Sequence, residues 1–395
     1  MIKRFTIPTL QLSSLSVMHF LLDTFPGSLP VILPALNSHF GLSVKQGVII
    51  LSVFNIICNG IQLLVGHLRE RQTKPLLIPI GIMMLFLIAV VPAIKTEGSF
   101  YPLMLVWSLI ALGVGLSHPE SMRSLYSIPL IPTPIASAAF VTLGFVGFSA
   151  GGWIASGLVS RWGIPGLWAM SVIPIICLVL IYASRLRLAT EDSLPAAKPG
   201  TAASEHPSIW RITPIVFASA SVASIFIGLL PTLLAEKNFA LTYGGKAVML
   251  HGIGFGAGSM LWAVIAHKKG ELETVALIAF AGFPFYAAYM LLMDWSWAII
   301  LLLPAGLLAG STYPLLVTLC KAARGLKLGQ RMGLAVGGAW GIASMMLLLM
   351  TFAADFIGLR AALWSVPLLS LAQGIMALGL LRRLRKDVNP VNVEQ

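Results

Sequence analysis

The chain has 395 residues, of which 57% are hydrophobic and only 10% charged, and it carries a net charge of +12. A water-soluble domain holds about 25% charged residues, so a mean hydropathy of +0.91 excludes a soluble globular protein and makes lipid the solvent for most of the surface. The basic excess, which would otherwise point to nucleic acid, sits at the ends of apolar runs, where it marks membrane topology instead.

Apolar runs long enough to cross a bilayer recur from end to end. They lack two-residue alternation, and in lipid only helices or closed barrels satisfy the backbone, so the runs read as helices. The opening MIKRFTIPTLQLSSL has no small-residue cleavage site behind a short apolar core. It reads as a cytoplasmic lead into the first span and not as a removed signal peptide. Twelve spans follow, at 11–36, 44–66, 75–94, 100–125, 135–160, 166–184, 209–234, 244–266, 274–293, 297–321, 332–354 and 361–381. Between the sixth and seventh lies the longest polar stretch, RLRLATEDSLPAAKPGTAASEHPS, rich in Pro, Ala, Ser and charge. That composition marks a linker. The expected division is a six-helix bundle over 1–184, a cytoplasmic linker over 185–208 and a second six-helix bundle with its tail over 209–395.

With both termini in the cytoplasm, twenty of the 26 Lys and Arg residues fall on the inner side, a strong positive-inside bias that an odd number of spans would scramble. The halves also echo each other. Leu29–Val48 (LPVILPALNSHFGLSVKQGV) aligns with Leu230–Val248 (LPTLLAEKNFALTYGGKAV), and GGWIAS at Gly151–Ser156 with GAWGIAS at Gly338–Ser344. Repeats of six spans about a polar linker describe a carrier whose halves rock around a central site.

Charge inside the spans is the next signal. Only Asp23 and Glu120 among the 14 acidic residues fall within predicted spans. An ionised side chain at mid-bilayer costs about 2.5–3.5 kcal/mol even on lenient insertion scales, so such groups are expected at a wet cavity or against a partner. His19 and Asp23 are four apart and share a helix face beside Pro26 and Pro30. In GLSHPESMRS, Gly115 to Ser124, Glu120 and Arg123 are three apart and can pair, Pro119 should bend the helix, and His118 points about 200° away from Glu120. Imidazoles titrate near neutrality and carboxylates move with their surroundings. Asp23, His19, Glu120 and His118 are therefore the expected proton-handling groups, and Arg123 the counter-charge for Glu120 or for an anion. His251 stands isolated among glycines and reads as structural. No metal-like spacing joins Cys58, Cys177 and Cys320, which read as packing thiols, and no cofactor is implied.

Glycine-rich faces in spans five (LGFVGFSAGG), eight (HGIGFGAGS) and eleven (MGLAVGGAWG) allow close helix crossings in lipid. After span two, GHLRERQTKP carries Gly66, Glu70 and Arg71 in a short basic loop able to dock on a helix terminus.

The six-plus-six repeat with G-x-x-x-[DE]-R after span two resembles the major facilitator superfamily. HFLLD in span one, HPESMR in span four and FVTLGFVGFSAGG in span five look like its fosmidomycin-resistance branch of drug exporters. Glu70 stands where the superfamily usually has Asp, WAVIAHKKG has His267 where an acid is expected, and span five lacks the Gly-Pro pair of many antiporters. The resemblance implies an all-α membrane protein of twelve transmembrane helices in two pseudo-symmetric bundles. It implies alternating access, with spans one, four, seven and ten lining a shared cavity. It also implies a non-enzymatic exporter in the bacterial inner membrane, driven by inward proton flow, acting as a monomer on a small organic molecule or antibiotic, such as one bearing a phosphonate. Its partners would be that molecule, protons and the bilayer, with no nucleic acid. The alternatives are proton-coupled uptake of a small organic anion or metabolite, or a membrane enzyme or receptor, for which the spans show no nucleophile–base pair or metal constellation.

Overall fold

The computed structural model describes residues 2–68, 73–131, 133–189 and 207–388. Among these the chain is helical, and an isolated bridge between Ser208 and Arg324 is its one extended pairing. Twelve helical segments run in order: α1 Ile2–Phe40, α2 Val44–Leu68, α3 Leu77–Ala93, α4 Phe100–Tyr126, α5 Thr133–Trp162 and α6 Ile164–Ser184, then α7 Ile209–Glu236, α8 Leu241–Lys269, α9 Glu271–Leu292, α10 Ser296–Ala322, α11 Gln330–Ile357 and α12 Leu359–Arg385. Eleven of them are long and apolar enough to cross a membrane; α3 is shorter. The protein is a multi-pass membrane protein.

α1 runs unbroken through Pro8, Pro26, Pro30 and Pro34. Proline interrupts the backbone ladder, and hydroxyls bind carbonyls around the gap: Thr24 Oγ1 donates to Leu21 O at 2.6 Å and Ser28 Oγ to Phe25 O at 2.7 Å. α4 likewise continues past Pro119. α10 is broken between Leu307 and Thr312, and α11 takes a wider π turn at Leu334–Gly338, just before Trp340. Short turns reverse the chain; Gly270 (φ 93°) and Gly358 (φ 84°) adopt backbone angles that a side chain would strain.

Helix neighbours recur in the two halves. α1–α5, α2–α4 and α1–α6 pack as α7–α11, α8–α10 and α7–α12 do, and the halves meet through α5–α8 and α2–α11. Glycine permits these crossings: a Cβ at Gly151 would overlap the Thr24 backbone of α1, and one at Gly252 would overlap Ser149 of α5.

Among the described residues the apolar core is continuous between the halves at one end only. One buried cluster draws together Leu33, Phe40 and Val159 with Phe226, Leu230 and Leu363. At the other end two separate clusters form, one built solely from residues between 15 and 186 and the other solely from residues between 209 and 380. The joined end also carries an ion pair across the halves, Lys45 with Asp355, and Lys45 lies 5.3 Å from the Phe352 ring. The helix ends at the divided end bear Arg123, Lys321 and Arg385.

The predicted linker begins docked against the first half. Leu186, Leu188 and Ala189 are buried; Leu188 N donates to Thr73 O at 2.9 Å and Ser127 Oγ to Arg187 O at 2.7 Å. Its far end joins the second half, where Arg324 N donates to Pro207 O at 3.0 Å.

Candidate functional site

A cavity of about 200 Å³ lies between the halves, where the shared core ends. α1 contributes Asp23, α4 His118, α7 Ser224 and α8 His251. Its remaining lining is largely apolar and aromatic, with Phe145 and Phe255 edge to face at 4.4 Å and Trp340 nearby.

His19, Asp23 and His118 converge on its wall. His19 Nε2 is 3.2 Å from Asp23 Oδ2, His118 Nε2 is 3.2 Å from Asp23 Oδ1, and the two Nε2 atoms are 3.2 Å apart. The i, i+4 spacing on α1 supplies the first contact, whereas the second depends on α4 crossing α1. His19 is seated by α5. Its ring stacks on Phe140 at 3.8 Å, its Nδ1 donates to Phe140 O at 2.8 Å, and Gly144 leaves room where a Cβ would overlap the imidazole. His118 Nδ1 donates to Val114 O at 2.8 Å.

These outer bonds decide the tautomers. A carbonyl only accepts, so both Nδ1 atoms carry hydrogen and both neutral rings turn an Nε2 lone pair toward the carboxylate and toward each other. Three acceptors then face one point, and one shared proton on either Nε2 converts repulsion into charge-assisted hydrogen bonds. The three donor atoms lie within 4.8 Å of one another, close enough for a single small cation to touch all three. The sequence shows no such constellation, because His118 is 95 positions or more from its partners. With side-chain exposures of 8%, 14% and 18% for His19, Asp23 and His118, the cluster is desolvated yet reachable from the cavity.

Glu120 and Arg123 stand elsewhere. Glu120 is 1% exposed and turned away from the cavity. Its Oε2 accepts the amides of Leu77 at 2.7 Å and Ile78 at 3.2 Å, capping α3 from a neighbouring helix. Glu120, expected with Asp23 among the proton-handling groups, is not brought beside it: the 200° separation on α4 sends His118 to the cavity and Glu120 to α3. Arg123 donates Nε and Nη2 to Ala189 O at 3.0 and 2.6 Å, so it pins the start of the linker. Of the loop motif, Gly66 ends within α2, while Glu70 and Arg71 lie outside the described residues.

Two features escaped sequence reasoning. His251 is not isolated: its Nε2 is 2.7 Å from Tyr286 Oη, and its ring lies 4.8 Å from Phe226. Asn55, Asn59 and Gln62 also line the cavity; polar residues at spacings of four and three in an otherwise apolar span were the available signal. Cys58, Cys177 and Cys320 are buried free thiols.

A profile of the Major Facilitator Superfamily matches residues 15–323. A relative, the fosmidomycin resistance protein of Escherichia coli (strain K12), is 28% identical over 152 residues, which are 38% of this chain and 37% of that protein. The alignment therefore spans well under half of either protein.

Proposed function

Since the chain belongs to the Major Facilitator Superfamily, we propose that it is a proton-coupled secondary transporter that expels a small organic molecule from a bacterial cell across its inner membrane. In this reading α3 completes a set of twelve spans, and the bundles 1–184 and 209–395 are pseudo-symmetric halves joined by the linker 185–208. Both termini face the cytoplasm, the chain acts as a monomer, and its partners are the cargo, protons and lipid. The observation that carries the reading is the triangle of His19, Asp23 and His118, each contact 3.2 Å, on the wall of a cavity between the halves. A group that shares one proton among three acceptors can release it when its exposure changes.

The core layout supports alternating access. Halves sealed together at one end and divided at the other form a cleft that opens toward the basic, cytoplasmic end. Rocking would exchange which end is shared. Glu120 and Arg123 then serve as positioning groups, holding α3 and the linker to α4. The direction of transport draws on the relative named for antibiotic resistance.

The test is transport in inverted membrane vesicles under an imposed pH gradient, with Asp23→Asn alongside. The expected result is cargo accumulation in the vesicles coupled to proton release, absent in the variant. Accumulation of equal size in Asp23→Asn removes the coupling role. Cargo movement in the opposite sense makes the protein an uptake carrier.

A further inference from the structure

The polarity of the cavity names a cargo class different from the one the relative's name suggests. Asn55, Asn59 and Gln62 share one face of α2 and line the cavity. Asn59 Nδ2 donates to Asn55 O at 2.8 Å and Gln62 Nε2 to Cys58 O at 3.1 Å. Because a carbonyl accepts only, both amides turn nitrogen toward their own helix and present oxygen away from it. Ser149, on α5, spends its hydroxyl hydrogen on Phe145 O at 3.0 Å, which leaves its lone pairs outward. Asp23 adds the one carboxylate. Among the described residues that line the cavity there is no Lys or Arg.

The imidazoles do not reverse this balance. The Nε2 atoms of His19 and His118 are directed at Asp23, so a proton held there neutralises that carboxylate and leaves no fixed cation for an anionic cargo. On the opposite wall His251 Nε2 is engaged by Tyr286. What remains is a chamber with one carboxylate, no Lys or Arg among its described lining, and aromatic rings at Phe145, Phe148, Phe255 and Trp340. Ring faces attract cations.

We propose, on the transporter reading above, that the cargo is a monovalent organic cation with an apolar or aromatic body, and that phosphonate and carboxylate anions are held poorly. The cation binds against Asp23 and displaces the proton shared with His19 and His118, so one positive charge replaces another at the same wall. Coupling and recognition are then one event.

The test is equilibrium binding of radiolabelled tetraphenylphosphonium to the purified full-length protein in detergent, with ethidium and fosmidomycin as competitors. Saturable binding displaced by ethidium and unaffected by an equal concentration of fosmidomycin is expected. Gln62→Lys, which places a fixed cation on the α2 wall, should weaken tetraphenylphosphonium binding about tenfold, the scale of one like charge across a partly wet gap, with an unchanged melting temperature. Displacement by fosmidomycin, or no saturable tetraphenylphosphonium binding by protein that melts cooperatively, overturns the assignment. Binding is read without a gradient, so its failure counts against the cargo class alone. Tetraphenylphosphonium binding without pH-driven exchange upholds the cargo class and counts against proton coupling alone.

Discussion

The two walls of the central cavity use the same residue types to different ends. On the first-half wall a histidine pair surrounds a carboxylate, every contact at 3.2 Å, with the outer nitrogens anchored to carbonyls. On the second-half wall a single histidine meets a tyrosine hydroxyl, with no carboxylate among the cavity-lining residues of that half. A histidine beside an acid gains a charged partner when it takes up a proton; one beside a phenol in an aromatic pocket keeps a neutral hydrogen bond. The two walls thus differ in ionisable content, although the helix packing of the halves repeats.

The contrast breaks most completely at Asp23. Asp23→Asn should lower pH-driven transport by at least about 100-fold, the low end of what a positioned proton-transfer group contributes, with normal membrane insertion by quantitative blot. A retained wild-type rate would place coupling elsewhere. Gly144→Ala comes next, since a methyl there would overlap the His19 ring. We expect transport to fall about tenfold, a loss of about 1.4 kcal/mol in barrier height, with an altered pH profile. Gly256→Ala is the control: its nearest neighbour would be Val146 Cγ2 at 3.8 Å, an ordinary contact, and the rate should hold.

Tyr286→Phe tests the other wall. It leaves a buried imidazole nitrogen without its partner and should cost about 1–3 kcal/mol of stability, read as a lower melting temperature, while the pH profile of transport keeps its shape. A shifted profile would show that His251 titrates during the cycle. The smallest effect belongs to Asp294, outside the spans. A hydrogen bond from Lys237, aided by Arg360, holds its carboxyl below the ordinary value. A depressed carboxylate stabilises the fold above its unfolded value, and that contribution fades as pH falls through the lower folded one. Asp294→Asn should therefore narrow the difference between melting temperatures measured at neutral and acid pH. Because the group is half exposed at the surface, salt should erase most of the effect.

Much of this was legible in the chain itself. Apolar run length marked twelve membrane helices, of which α1, α2 and α4 through α12 are long and apolar enough to cross and α3 is shorter, and the four-residue step from His19 to Asp23 placed them on one face. GLSHPESMRS was legible as an unusual segment, yet its three ionisable groups were not separable by role. His118, Glu120 and Arg123 go to α1, α3 and the linker respectively, through partners 99, 42 and 66 positions away. Periodicity tells which groups diverge; it does not tell what stands opposite. The polar stripe Asn55, Asn59 and Gln62 was readable by the same periodicity, and its amide orientation was not, because that depends on backbone carbonyls available only once α2 forms.

Composition and spacing by themselves determined the solvent, the helical class and the local pairs, since burial in lipid and the 3.6-residue period act within a single helix. Tertiary structure alone decided that α4 would bring a second imidazole to Asp23, that Glu120 would cap α3, and that the halves would share a core at one end only. Those outcomes depend on which helix faces cross, and the crossings are set by glycine contacts such as Gly144 on His19 and Gly252 on Ser149, between residues far apart in the chain.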